Sequence, residues 1–156
     1  TGTYRVGEWH ENNPSPYLAR PGADRENNGF YASFDQMVWR EPDSDDGLQG
    51  LGLFGRAGWA DPDVKIIETF GSAGLTYQGP IPGRDADVAG VGVSHGETSE
   101  KAGFTADYER ASEIYYNAQA APWFHITPSL QWVENPGADE DTDDACVVGI
   151  RTQVSF

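Results

Sequence analysis

The sequence predicts an all-β fold, an antiparallel transmembrane β-barrel segment of about eight strands. Three observations carry that prediction. Strand-like segments recur between turn signals along the whole chain. The composition suits strands and turns, with 38% hydrophobic residues, 22% charged, 12% aromatic and 19 glycines, where a helix bundle would use more Ala, Leu, Glu and Lys. The final segments alternate between apolar and polar residues, so each has one oily face and one wet face.

The segments fall near Thr3–Trp9, Phe30–Arg40, Leu48–Ala60, Lys65–Gln78, Asp87–His95, Ser112–Ala120, Trp123–Val133 and Ala145–Phe156. The first is already under way where the chain opens, at "TGTYRVGEW", with no initiator Met and no signal peptide; this is the start expected of a processed protein or a fragment. The second and third are separated by the acidic stretch "EPDSDDG". "ADPD" (Ala60 to Asp63) precedes the fourth, and "PIPGRDAD" (Pro80 to Asp87) leads into the fifth. The long polar "GETSEKAGFTADYER" (Gly96 to Arg110) leads to the sixth. That segment tolerates a helical reading, with Tyr108, Ala111 and Tyr115 on one side. The alternation of Ile114, Tyr116, Ala118 and Ala120 with Glu113, Tyr115, Asn117 and Gln119 favours a strand. "AAPW" is a very short turn to the seventh, and the acidic "NPGADEDTDD" leads to the eighth. Short turns at one end and longer loops at the other are a barrel pattern, which weakens upstream.

In the last three segments one face carries Ile114, Tyr116, Phe124, Ile126, Leu130, Trp132, Val148, Ile150, Val154 and Phe156. The other carries Glu113, Asn117, Gln119, His125, Thr127, Ser129, Gln131, Arg151, Gln153 and Ser155. A soluble sandwich also alternates, but its outer face is usually rich in Lys and Glu. Gln, Asn, Ser and Thr suit a wet interior, where they bond each other and a polar solute. Trp59, Tyr77, Trp123, Trp132 and Phe156 sit near segment ends, as membrane-interface aromatics do; an aromatic core of a soluble sheet is the alternative. No run approaches the ~18–20 apolar residues of a transmembrane helix, which leaves a barrel open.

The net charge of −15, from 25 acidic and 10 basic residues, argues against nucleic acid as a partner. The single cysteine, Cys146, forms no internal disulfide. Charges within strands are the informative ones. An Arg on a mid-depth lipid face costs ~2–4 kcal/mol, so Arg56, Arg151, Glu68, Glu113 and Asp35 are expected to face a lumen. With Gln131, Gln153 and His125 they form the expected solute-contacting set. Opposed Arg and carboxylate groups narrow a pore and match sugar hydroxyls.

Other motifs read as incidental. "GLGLFG" (Gly50 to Gly55) fits a dinucleotide fingerprint, but "RAGWADPD" follows with no helical period. "GVSHG" (Gly92 to Gly96) fits a hydrolase nucleophile elbow, with Asp107 and His125 following in order. That enzyme architecture needs alternating strands and helices, which this chain lacks, so no catalytic residue is expected. "ADEDTDD" lacks the central Gly and distal Glu of an EF-hand, and the three histidines have no metal-ligand spacing, so neither metal nor cofactor is expected.

Several ordered stretches together carry a family resemblance: "TYRVGEW", "GFYASFDQMVWRE", "GLGLFGRAGWADPD", "GLTYQGPIPGRDADVAGVGVSHG", "SEIYYNAQAAPWFHITPSLQWVENPG" and "DACVVGIRTQVSF". The chain resembles the C-terminal part of the carbohydrate-selective porins, the OprB family of Gram-negative outer membranes. Pro122, Trp123, Pro128, Gln131, Asn135 and Pro136 match the family's penultimate hairpin. The resemblance implies a barrel of about 16 strands that passes sugars by diffusion, with no reaction. It implies that this chain, 1–156, is one region supplying the C-terminal half, the N-terminal half being absent. The implied partners are sugars, outer-membrane lipid and the barrel-assembly machinery, for which Phe156 resembles the terminal aromatic signal; a homo-oligomer such as a trimer is compatible. Two alternatives are weighed beside it: a complete small eight-stranded barrel acting as anchor or adhesin, and a serine hydrolase through Ser94.

Overall fold

The computed structural model describes residues 2–42 and 49–156. They form eight strands: β1 (Gly2–Tyr17), β2 (Arg20–Arg40), β3 (Gly50–Ala60), β4 (Ile67–Gln78), β5 (Val88–Thr98), β6 (Tyr108–Ala121), β7 (Phe124–Glu134) and β8 (Ala145–Val154). A short 3-10 turn, Glu100–Ala102, lies between β5 and β6. Most of the acidic stretch after β2, and Leu48 at the expected start of the third strand, fall outside the described residues.

The sheet is antiparallel throughout, in sequence order from β1 to β8. Each strand therefore pairs with its chain neighbours, and β1 and β8 are both edges. The closed eight-stranded barrel is thereby excluded, because closure requires those two strands to pair. The sixth segment is a strand, and it begins at Tyr108, earlier than expected. At the chain's end β8 stops at Val154, and the Ser155 N–H donates to the Trp123 carbonyl (2.9 Å), tying the segment before Phe156 to the β6–β7 turn.

The largest departure from expectation lies at β1 and β2. Both run well beyond Trp9 and Phe30, through "HENNPSPY" and "RPGADRENN". Those stretches are polar, so hydropathy alternation does not reveal them. They pair only with each other, since β2 meets β3 first at Gly29. The resulting ribbon is held against the β3–β4 connector. Leu18 N–H donates to the Asp63 carbonyl (2.9 Å), Asp61 N–H to the Asn28 carbonyl (3.2 Å), and Arg25 ion-pairs with Asp61 (3.3 Å) and Asp63. Lys101, from the β5–β6 connector, also binds Asp63. This hydrogen bond from Lys101 is the main reason the Asp63 carboxyl sits below the usual range.

Loop length is not sharply divided between the two ends. The connectors 41–49 and 79–87 are about as long as 99–107, and only Pro122–Trp123 is a tight turn on that side. The asymmetry lies instead in the overrun of the β1–β2 ribbon.

A single sheet has no second layer to bury its apolar face. Among the described residues, the only buried apolar side chains are Val64, Ala106 and Ala138, each in a different connector at the end where the ribbon projects. These connectors are knitted by backbone and hydroxyl bonds: Ala106 N–H to the Ala138 carbonyl (3.1 Å), Ser99 N–H to the Ile66 carbonyl (2.8 Å) and Ser99 Oγ to the Pro62 carbonyl (2.6 Å). In the sheet itself the large apolar residues are bare. Val6 is 85% exposed, Val148 78% and Ile150 76%. An apolar face of this extent far exceeds the few hundred Å² that soluble monomers expose, so the soluble-sheet alternative fails.

At the opposite end the β4–β5 connector is locked by Asp87, which is almost fully buried. Its carboxylate receives Arg84 Nε (2.5 Å) and Nη2 (3.0 Å), Tyr116 Oη (2.5 Å) and the Gln119 N–H (2.9 Å). Burial opposes the charged form, but Arg84, Tyr116 and Gln119 outweigh it and hold the carboxyl below its usual range. A group with a depressed folded-state pKa contributes stability above its unfolded value of ~3.9 and loses it as pH falls toward the folded value. Asp87→Asn is therefore expected to destabilise the folded protein by about 2 kcal/mol at pH 7. The difference from the parent should shrink as pH is lowered below ~3.9, as read by unfolding in detergent.

Candidate solute-facing surface

Residues paired across an antiparallel ladder point to the same side, and successive residues alternate. The register therefore sorts every strand position onto one of two faces. One face carries Tyr4, Val6, Phe34, Leu53, Leu75, Val91, Ile114, Leu130, Val148 and Ile150. Aromatics mark both of its ends. Trp59 stacks with Phe30 (5.6 Å) near the ribbon end, and Tyr77 with Trp39 (6.2 Å) near the other. Trp132 stands one pair from the ribbon end of β7, and Trp123 lies in the tight turn beside Phe124. Phe156 follows β8 at the turn end, fully exposed. From Phe124 to Trp132 is roughly 27 Å along the strand at ~3.4 Å per residue, or ~21 Å after a ~40° tilt; the apolar band of an outer-membrane barrel is ~25 Å.

The opposite face is wet, and its cross-strand rows can be followed pair by pair. One row runs Thr3, Asp35, Phe54, Gly74, Gly92, Glu113, Gln131, Val147. A second holds Arg5, Ser33, Arg56, Ser72, Ser94 and Ala111. Nearer the turn end Asn117 donates to Thr127 Oγ1 (2.7 Å), and its Oδ1 lies 2.9 Å from His125 Nδ1. Arg151 and Gln153 pair with Thr127 and His125, which places them in the same patch. In the first row Gln131 Nε2 donates to Glu113 Oε1 (3.1 Å), and Arg5 reaches Asp35 across the rows (3.4 Å). Arg56 and Arg151 have no ion-pair partner among the described residues, so their guanidinium donors remain available.

Seven of the eight expected solute-contacting residues thus share this face: Arg56, Glu113, Gln131, Arg151, Gln153, Asp35 and His125. Glu68 does not join them. It sits in a β-bulge between Ile67 and Thr69, where the pairing skips one residue. The bulge breaks the alternation that sequence parity assumes. Ile67 takes the place on the wet-face side, opposite Thr98, and Glu68 lines a rim hollow with His95, Glu97, Lys101 and Tyr108.

Sequence reasoning missed the aromatics of the wet face: Trp9, Tyr31, Phe54, Phe70 and Tyr115. The signal was present, since Phe54 shares parity with Arg56 and Tyr115 with Glu113. Alternation already sets Tyr115 beside Glu113, Asn117 and Gln119, but the solute-contacting set expected from the sequence holds no aromatic. The hydrolase alternative also fails here. Ser94 Oγ contacts the Ala111 carbonyl (3.5 Å), whereas His125 is bonded to Asn117 and lies eight residues along β7 from Val133, the residue in the row of Ser94. That is roughly 27 Å at ~3.4 Å per residue.

The family model described as "Carbohydrate-selective porin, OprB family" matches residues 1–156, the whole chain. The chain belongs to this family. It is a family of channels, not of enzymes. Porin B of Pseudomonas aeruginosa is 24% identical over 132 residues, covering 71% of this chain and 29% of that protein. The high-pH structure of Pseudomonas putida OprB superposes with a TM-score of 0.91 at 22% identity, over 99% of this chain and 44% of that one. The low-pH structure of the same protein gives a TM-score of 0.66 at 23% identity, over 99% and 47%. The porin chain thus spans less than half the length of these relatives.

The two faces make opposite demands on charge. Ile150→Arg is expected to destabilise the barrel by about 2–4 kcal/mol, whereas Gln153→Arg on the wet face should cost well under 1 kcal/mol. Reversible unfolding in the presence of lipid bilayers measures the difference. Equal costs would contradict the assignment of faces.

Proposed function

We propose that the eight strands form part of the wall of an outer-membrane channel that passes carbohydrates by passive diffusion. The rest of the barrel, of about 16 strands, supplies partners for the edges of β1 and β8. The observation that carries this reading is the chemistry of the wet face. Amides, hydroxyls and imidazole predominate, punctuated by Arg5, Arg56 and Arg151 on one hand and Asp35 and Glu113 on the other. Such a surface offers donors and acceptors to a neutral polyhydroxylated solute without a strong field of either sign. The apolar face then meets outer-membrane lipid, with Trp59, Tyr77, Trp123, Trp132 and Phe156 at the interfaces. Phe156, two residues beyond β8, would serve as a recognition signal for barrel-assembly machinery. Association with further copies, as a trimer, is part of the same proposal.

In this channel Arg151 contributes to the solute path through its free guanidinium. The intact protein reconstituted in liposomes should give sugar-dependent swelling, and Arg151→Ala should change the rate by about two-fold or more. Absence of swelling with every sugar would sink the proposal.

A further inference from the structure

The wet face holds a hollow of about 240 Å³ between β3 and β7. Two aromatic rings are set into it, each against a glycine of the neighbouring strand. The Phe54 ring lies across Gly74 of the neighbouring strand: a β-carbon built on Gly74 would stand 2.4 Å from the Phe54 Cζ. The Tyr115 ring likewise lies on Gly90, whose β-carbon would stand 2.4 Å from the Tyr115 ring. Only glycine leaves room for a ring to lie against the backbone of the next strand. Any other residue would push the ring upright into the lumen. Each ring therefore rests one flat side on the sheet and turns the other toward the hollow.

Glu113 and Gln131 stand at the edge of the same hollow, joined by their 3.1 Å hydrogen bond, with Ser72 and Ser94 alongside. In that bond the amide nitrogen donates, so the Gln131 carbonyl oxygen and the second Glu113 oxygen keep free lone pairs. Flat aromatic surfaces beside outward-facing acceptors suit a particular solute chemistry. A pyranose has a face of axial C–H groups that packs on a ring and a rim of hydroxyls that donate to carboxylate and amide oxygens. An acyclic polyol has the hydroxyls but no rigid C–H face.

We propose that Phe54 and Tyr115 form a stacking subsite for pyranose rings, with Glu113 and Gln131 accepting the sugar's hydroxyl protons. The proposal rests on the carbohydrate-channel reading and assigns it a site of selectivity. The laid-down rings retard and orient a ring sugar in transit, giving saturable passage and discrimination by solute shape.

The test uses the intact protein in a planar lipid bilayer in potassium chloride, titrated with glucose or with mannitol. Glucose should reduce the ion current at lower concentration than mannitol. Phe54→Leu and Tyr115→Ala should each raise the half-saturating glucose concentration about three- to ten-fold, with little change for mannitol. Tyr115→Phe, which keeps the ring, should behave as the parent. Gly90→Ala, which keeps Tyr115 but lifts it off its floor, should weaken glucose as Tyr115→Ala does. Discrete ion-conducting channels in each variant, whatever their sugar-free conductance, show that the channel has folded. Equal responses to glucose and mannitol in the parent, or unchanged half-saturation in the variants, would overturn the subsite while leaving sugar flux intact. Loss of sugar flux from the parent itself would overturn the channel reading and the subsite with it.

Discussion

The cross-strand hydrogen-bond ladder is the constraint from which the rest of this molecule follows. In a bilayer no water is available for a bare peptide group, so every spanning residue must pair with a neighbouring strand. The inner strands β2 to β7 meet that demand with the simplest connectivity, each bonded to the strand before and after it, while β1 and β8 each keep one open edge. Once the ladder is set, side-chain direction is no longer free. Each pairing step carries a face assignment from one strand to the next. Asp35 on β2 and Gln131 on β7 lie far apart in sequence, yet register alone puts them in one row.

The ladder also explains how stability is distributed. With no second layer, there is no buried core within the sheet, and apolar residues such as Val148 and Ile150 stand exposed. Polar locking is therefore concentrated at the two ends, where water competes. At the ribbon end Asp63 gathers Arg25 from β2 and Lys101 from the β5–β6 connector. At the turn end the Asp87 carboxylate collects four donors from Arg84, Tyr116 and Gln119. Both arrangements pin chain segments that the sheet ladder does not reach. Exposed ion pairs contribute little by themselves, but a buried carboxylate with a full set of donors resists replacement because an uncompensated group would remain.

Glycine has a role here beyond turns. At Gly74 and Gly90 it makes room for an aromatic side chain from the adjacent strand. Such pairs fill space that would otherwise weaken a glycine-containing strand. On the wet face they also convert floppy upright rings into flat, fixed surfaces. In the proposed subsite the structural accommodation and the recognition surface are the same atoms.

Much of the fold was legible in the sequence because a two-residue period leaves a direct trace in hydropathy. The alternation in "CVVGIRTQVSF" sorted Ile150 from Arg151 without any coordinates, and the same parity placed Glu113, Gln131, Gln153 and His125 together on one face. Three features were not legible, each for a physical reason. The β1–β2 overrun is polar and pairs only with itself, so no buried face imprints a pattern on it. Glu68 looked like its neighbours Phe70 and Ser72, but one unpaired residue shifts parity, and a bulge is chosen by the fit of two strands. The rings of Phe54 and Tyr115 lie flat because of glycines 20 and 25 residues away in the chain, which become neighbours only through register. The sequence by itself determined the number of strands, the two faces of the last three and the family. Tertiary structure decided which strands face which, because register is a property of pairs of strands and not of any one of them.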